Sequence, residues 1–231
     1  VIGFNRSAEG SAIFLQYRWG EFSGTYRFVQ ADINHNLDEI GQILRDFNPR
    51  VVVDFMGQGM VAESWRHPDQ WFTTNVLSKV RLHEFLRELG GLERYIRIST
   101  PEVYGSTDVP ISENWNFNPS TPYAVSHAAI DMSLRAYNQR YGFPVIFARF
   151  ANFYGPGQQL YRIVPRTIIN GLTGKKLLLH GGGAAVRAFI FATDIADGVV
   201  RLITSGVPGR TYHFSPDEFH TILDVVTAAA N

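Results

Sequence analysis

The sequence predicts an α/β fold, a doubly wound parallel sheet carrying a smaller C-terminal lobe. Strand-like and helix-like segments alternate along most of the chain, the pattern of helices laid on both faces of a sheet. Val51-Val52-Val53 is short and wholly apolar, as a strand covered on both faces must be. Beyond Asn152 the character changes: Gly and Pro become frequent and the segments shorten.

Taken in order, Val1 to Phe4 reads as a strand and Tyr26 to Val29 as the next, closing at Asp32. A helix is expected from about Leu37 to Phe47, stopped by Asn48-Pro49. After the Val51 strand a long helix runs from about Gln70 to Leu89 and ends at Gly90-Gly91. Tyr95 to Ile98 is a strand leading into Ser99-Thr100, a second long helix spans about Pro122 to Tyr141, and Pro144 to Phe147 is a further strand. A last helix begins at about Thr221 and has no evident C-terminal cap. The expected division is residues 1–152 and 153–231, with 144–194 interleaved between the two parts. The second part should lie across the carboxyl ends of the strands, where ligands of such sheets bind.

Composition narrows the function. Of 231 residues, 45% are hydrophobic, enough for one sizeable core. Lys plus Arg (21) balances Asp plus Glu (21), so bulk charge offers nothing to nucleic acid or to a membrane surface, and an anionic ligand needs local groups. There is no cysteine, which removes disulfides and thiolate chemistry and fits a reducing cytoplasm. No apolar run is long enough to span a bilayer. The seven histidines show no metal-binding spacing, so no metal is expected.

Two segments carry chemistry. Ser99-Thr100-Pro101-Glu102-Val103-Tyr104-Gly105 follows a strand, so its side chains sit at the carboxyl edge of the sheet. There Thr100 can donate a hydrogen bond and Glu102 can accept a proton, although a turn with a surface carboxylate reads the same way. Tyr123 and His127 stand at i and i+4 near the start of a helix, on one face. A phenol beside a group able to carry positive charge can exchange a proton with a substrate hydroxyl; taken singly, a helical Tyr is more often packing.

In order along the chain come Ser-Thr-x-Glu-Val-Tyr-Gly (99–105), Asn118-Pro119-x-x-Pro122-Tyr123-Ala124-x-Ser126, Arg149-x-x-Asn152-x-Tyr154-Gly155-Pro156-x-Gln158, and Gly181-x-Gly183 ahead of Arg187 and Asp194. This series resembles the extended short-chain dehydrogenases that act on nucleotide sugars, especially dTDP-glucose 4,6-dehydratases. The resemblance implies a Rossmann-type cofactor domain with a nucleotide-sugar-binding lobe. It gives Tyr123 the proton of the sugar 4-hydroxyl, Thr100 a hydrogen bond to that hydroxyl, and Glu102 the C5 proton. It implies substrate contacts from Asn152, Arg162, Arg187 and His180, and cofactor contacts from Asn5, Arg6, Asp32, Ile33, Gly57, Ser99, Tyr123 and His127. Asn75 matches a structural Asn of the cofactor half. The cofactor is NADP or NAD, with Arg6 suited to a 2′-phosphate. The partners implied are a nucleotide-diphosphate sugar and a second copy of the chain, paired through the two long helices.

The sequence departs from the family pattern at four places. The G-x-x-G-x-x-G loop is absent; because Val1 to Asn5 matches the second strand of the cofactor fold, a further unit of roughly 30 residues is expected upstream. The family Lys is His127, which leaves open a slower enzyme, a shifted pH optimum or a non-catalytic binder. Pro101 stands where C6-dehydrating relatives often have Asp, which leaves 5,6-elimination, 4-epimerisation and decarboxylation open. The loop Met56-Gly57-Gln58-Gly59-Met60 replaces the usual Ala-Ala and nearby His, with Gln58 a candidate polar contact. A reductase of a non-sugar substrate is a third reading, opposed by Asn152 and Arg187.

Overall fold

The computed structural model describes residues 1–20 and 24–230. The chain divides into two compact units, the first comprising residues 1–9, 24–149 and 199–213, the second 10–23, 150–198 and 214–231. The chain passes from the first unit to the second at 150, with 10–23 in the second unit and 199–213 in the first. The reason is pairing and packing: Gly209 and Arg210 bond the backbone of Val145 and Phe147, while Gln16 Nε2 donates to Pro156 O at 2.6 Å.

In the first unit, β1 (Ile2–Asn5) pairs in parallel with β2 (Arg27–Gln30), Ile2 opposite Arg27. A second sheet has the order β3 (Val51–Asp54), β4 (Arg94–Ser99), β5 (Val145–Phe150), β9 (Thr211–Phe214), with β3–β4 and β4–β5 parallel. Phe4 and Val29 of the first sheet pack against the same buried cluster as Tyr95, Val145 and Phe147 of the second, so the two sheets share one core. All six residues of β5 are buried, as the both-faces-covered pattern requires. The strand runs three residues beyond the expected Phe147, because the charge at Arg149 is met inside the core by Asp131.

The helices follow from their caps and apolar faces. α1 (Leu37–Phe47) turns Ile40 and Leu44 inward and stops where Asn48 takes a left-handed conformation (φ 47°) before Pro49. After the short α2 (Val61–Ser64), one continuous helix is built from α3 (Pro68–Phe72), a π-helical turn (Thr73–Ser78) and α4 (Lys79–Leu89). Leu82 and Leu86 of α4 enter the core. α5 (Pro122–Tyr141) starts with Thr121 Oγ1 accepting from the Ala124 N–H at 3.1 Å and Pro122 at its first position, and ends at Gly142. Leu134 of α5 is fully buried; its truncation to Ala would cost about 2–5 kcal/mol.

In the second unit, β6 (Asn152–Tyr154) pairs in parallel with β8 (Phe189–Phe191), and β7 (Val186–Arg187) pairs antiparallel with β10 (His220–Thr221). α6 (Ile163–Leu172) packs on α8 (Ile222–Ala230), and α7 (Ala192–Ser205) follows β8 directly, its residues from Val199 onward belonging to the first unit. Phe150 stacks on Phe214 with ring centroids 4.7 Å apart. The Gly181-Gly182-Gly183 run has φ of 56°, 65° and 78°, a left-handed path that side chains with a Cβ resist. No helix among the described residues is long and apolar enough to cross a membrane.

Candidate active site

The turn after β4 is fixed from both ends. Thr100 is extended and buried, and its Oγ1 accepts the Glu102 N–H at 3.3 Å, capping the turn Pro101–Tyr104. The hydroxyl proton of Thr100 is not used in that bond and can still be donated. Gly105 closes the turn at φ 75°; a Cβ there would lie 2.3 Å from Asn118 O. Val103 and Tyr104 are buried with Ala128 of α5, which ties the turn to that helix. Glu102 itself is exposed.

Tyr123 and His127 sit on successive turns of α5 with ring centroids 4.6 Å apart, the face that their spacing predicts. Between them Ser126, fully buried, donates to Tyr123 O at 2.7 Å and accepts from Asn75 Nδ2 at 3.0 Å. Asn75 is aimed there by the π-helical turn, a feature that recurs at functional sites. Its Oδ1 accepts the Gln58 N–H at 2.6 Å, and its Nδ2 donates to Gln58 O at 3.2 Å. Gln58 is therefore held through its backbone, which sets the position of Gly57. A Cβ on Gly57 would stand 3.3 Å from Asn75 Oδ1 and 4.0 Å from His127 Nε2. Glycine thus keeps a side chain out of the space beside the Nε2 edge of the imidazole.

Beneath this pair lies a charge network that the sequence did not announce. Arg97 is fully buried; one guanidinium nitrogen lies 2.9 Å from His127 Nδ1, its Nε donates to Asp131 at 3.2 Å, and Asp54 is 3.6 Å away. Asp131 also accepts from Ser99 Oγ at 2.6 Å and from Arg149 at 3.1 Å. Arg149 donates to the Tyr104 hydroxyl at 2.7 Å, which meets His213 Nε2 at 2.9 Å. Lys79 binds both oxygens of Asp54, at 3.0 and 2.7 Å, and also donates to Met56 O. Three cations (Lys79, Arg97, Arg149) against two carboxylates (Asp54, Asp131) leave 3 − 2 = 1 net positive charge.

The network sets protonation. Burial, then repulsion by Arg97 and Lys79, holds His127 well below the ordinary imidazole range, so the expected cation at this position is a neutral ring. Positive charge sits instead on Arg97. Burial opposes ionisation of Asp54, yet Lys79 and Arg97 outweigh it and keep the carboxylate below its usual range. Burial and Arg97 push Lys79 down to about 8 against the pull of Asp54.

The other expected cofactor residues are dispersed around this unit. Asn5 ends β1 and its Oδ1 accepts the Ser7 N–H at 3.2 Å; Arg6 is exposed. Asp32 accepts the Asn34 N–H at 2.8 Å. Ile33, expected beside the cofactor, is 5% exposed and its side chain packs into the core. Ser99 likewise spends its hydroxyl on Asp131. In the second unit Asn152, Arg162, His180 and Arg187 are all exposed and stand on separate elements. Arg162 lies over the Tyr161 ring at 5.4 Å and Arg187 donates to Val186 O at 2.7 Å. This unit also holds a cavity of about 590 Å³ walled by Tyr154, Val164, Ile168 and Phe189, with Glu218 and Asp224 among its polar groups.

The profile of the NAD dependent epimerase/dehydratase family matches residues 1–214. The chain belongs to this family. A dTDP-glucose 4,6-dehydratase of Neisseria gonorrhoeae is 32% identical over 212 residues, 87% of this chain and 61% of that protein. The crystal structure of a dTDP-glucose 4,6-dehydratase from Streptomyces venezuelae, with NAD bound, superposes with a TM-score of 0.82 at 31% identity, covering 88% of this chain and 62% of that one. A UDP-glucose 4-epimerase of Thermus thermophilus, also with NAD, gives a TM-score of 0.81 at 27% identity, covering 89% and 68%. The chain thus spans about three fifths of the length of these dehydratases, and shares their Rossmann-type α/β fold.

Proposed function

We propose that the protein to which this chain belongs is an NAD-dependent nucleotide-sugar dehydratase. The observation that carries the reading is the Tyr123–His127 pair on α5, whose helix packs on the turn bearing Thr100 and Glu102. The lack of a side chain at Gly57 suits close approach of a bound dinucleotide, and Asn5, Asp32 and Gly57 are the residues assigned to hold it. NAD is the choice, because both solved relatives cited above carry it. When bound, NAD supplies a hydride acceptor for sugar C4 and returns the hydride later.

This chain's residues do the rest. Thr100 donates to the 4-hydroxyl oxygen and Tyr123 takes the proton that leaves it. Glu102, exposed on its turn, takes the C5 proton that the 4-ketone has made acidic. Asn152, Arg162 and Arg187 are assigned to the nucleotide diphosphate, whose charge the balanced composition does not otherwise meet, and His180 to stacking on the nucleotide base. Pro101 donates no proton, so the hydroxyl leaving C6 must find its acid elsewhere, whether the hydride then returns to C6 (4,6-dehydration) or to C4 (5,6-dehydration); an epimerase or decarboxylase outcome is a result of the test. A homodimer is supported by apolar side chains left exposed on the two long helices, including Leu77, Val125 and Met132. The nucleotide substrates suit a cytoplasmic setting.

The deciding experiment gives the full-length gene product dTDP-, UDP-, GDP- and CDP-sugars in deuterated water and reads the products by mass spectrometry. Loss of one water with deuterium gained supports the dehydratase. A new stereoisomer without deuterium makes it a 4-epimerase. Binding without turnover overturns the enzyme reading.

A further inference from the structure

We propose that Arg97 is a positioning residue that locks His127 in the tautomer protonated at Nε2, so that a neutral imidazole presents an N–H donor at the edge beside Gly57. A guanidinium has five donors and no acceptor. Where one of its nitrogens lies 2.9 Å from His127 Nδ1, that ring nitrogen must offer its lone pair, and the ring proton must sit on Nε2. Arg97 cannot turn away, because its Nε is held by Asp131 at 3.2 Å and another nitrogen by Ile98 O at 2.6 Å. Asp131 in turn is fixed by Ser99 and Arg149.

The groups around the ring oppose a second ring proton. Arg97 comes from β4, Lys79 from α4 and Arg149 from β5; Asp54 of β3 and Asp131 of α5 are already engaged by these cations. Tyr123 and Asn75 add no fixed positive charge. A doubly protonated ring would place a cation 2.9 Å from the guanidinium. The sequence therefore moves the positive charge one layer down, from α5 to β4, and leaves a neutral donor at the surface of the site. The donor's target, the bound dinucleotide, rests on the function proposed above; the tautomer does not.

The test uses full-length protein labelled with 15N in histidine, with His127→Gln to assign the signal. Long-range proton–nitrogen spectra from pH 6 to 8.5 should show Nδ1 unprotonated and Nε2 protonated throughout, with no titration step, and a shift of Nε2 on adding NAD. A protonated Nδ1, or a ring that titrates in this range, overturns the proposal. Arg97→Met, which has no donor, should give mixed tautomers and weaken NAD binding about tenfold, the scale of one hydrogen bond; Arg97→Lys, which keeps a donor and no acceptor, should restore the tautomer. Unchanged tautomer and NAD affinity in a folded Arg97→Met protein would also overturn it. If that variant does not fold, the unmodified protein's spectrum decides. NAD binding is read without sugar, so failure of the dehydratase reading is seen separately.

Discussion

Asp54 and Lys79 form an ion pair at 2.7 Å with neither side chain more than 1% exposed. Such a pair is held by the cost of breaking it rather than by its net strength. Asp54→Asn leaves Lys79 and Arg97 buried without that counter-charge and should destabilise the chain by about 3–5 kcal/mol in urea unfolding. The double substitution Asp54→Leu with Lys79→Met should recover much of the loss. Equal loss in both proteins would mean that packing, not charge, sets the cost.

Acid should unfold the protein earlier than its carboxylates alone require. His83 is buried against Tyr95, 2.8 Å from its hydroxyl, and burial pushes it from 6.5 down to about 3. The unfolded chain binds a proton here below about pH 6.5 while the folded chain does not. Stability from this group is therefore complete above 6.5 and falls as pH drops toward 3, by up to about 1.4 kcal/mol per unit. His83→Gln should flatten that slope in chemical unfolding measured from pH 7 to 4.

Tyr123→Phe keeps the ring against His127 and removes only the hydroxyl. Turnover should fall at least about 10²–10⁴-fold, with nucleotide-sugar affinity nearly unchanged by calorimetry. Normal turnover would remove Tyr123 from its assigned role.

Glu102→Gln should still allow reversible oxidation at C4, seen as cofactor absorbance, and stop deuterium entering the sugar from solvent. Product formed at the original rate would assign the base elsewhere.

Gly105→Ala would bring a Cβ within 2.3 Å of Asn118 O at φ 75°. The turn must shift, and with it Thr100 and Glu102. The expected result is a loss of activity larger than a 1–3 kcal/mol fall in stability explains, checked by comparing turnover with the thermal midpoint.

Much of the fold was legible because its signals are local. α1 and α5 match their expected limits, since Asn48-Pro49, Thr121-Pro122 and Gly142 punctuate the chain. The Tyr123–His127 pairing follows from helical spacing alone. The charge network was not legible: Asp54, Lys79, Arg97 and Asp131 are far apart in sequence and meet only when β3, β4, α4 and α5 pack. One signal was present in Tyr95-Ile96-Arg97-Ile98, where a charge interrupts a strand that should be apolar on both faces.

The π-helical turn at Thr73–Ser78 makes the helix from Pro68 to Leu89 serve two registers. A π turn carries one more residue than an α turn, so everything before it is rotated by about 100° relative to an uninterrupted helix. Asn75 can therefore face Ser126 while Leu82 and Leu86 face the sheet. Loss of a single residue in this stretch would leave the composition and the helix almost unaltered, yet swing the upstream half off its axis and unlatch the Gln58 loop. At this place the spacing of the chain is a functional element, as much as any side chain it carries.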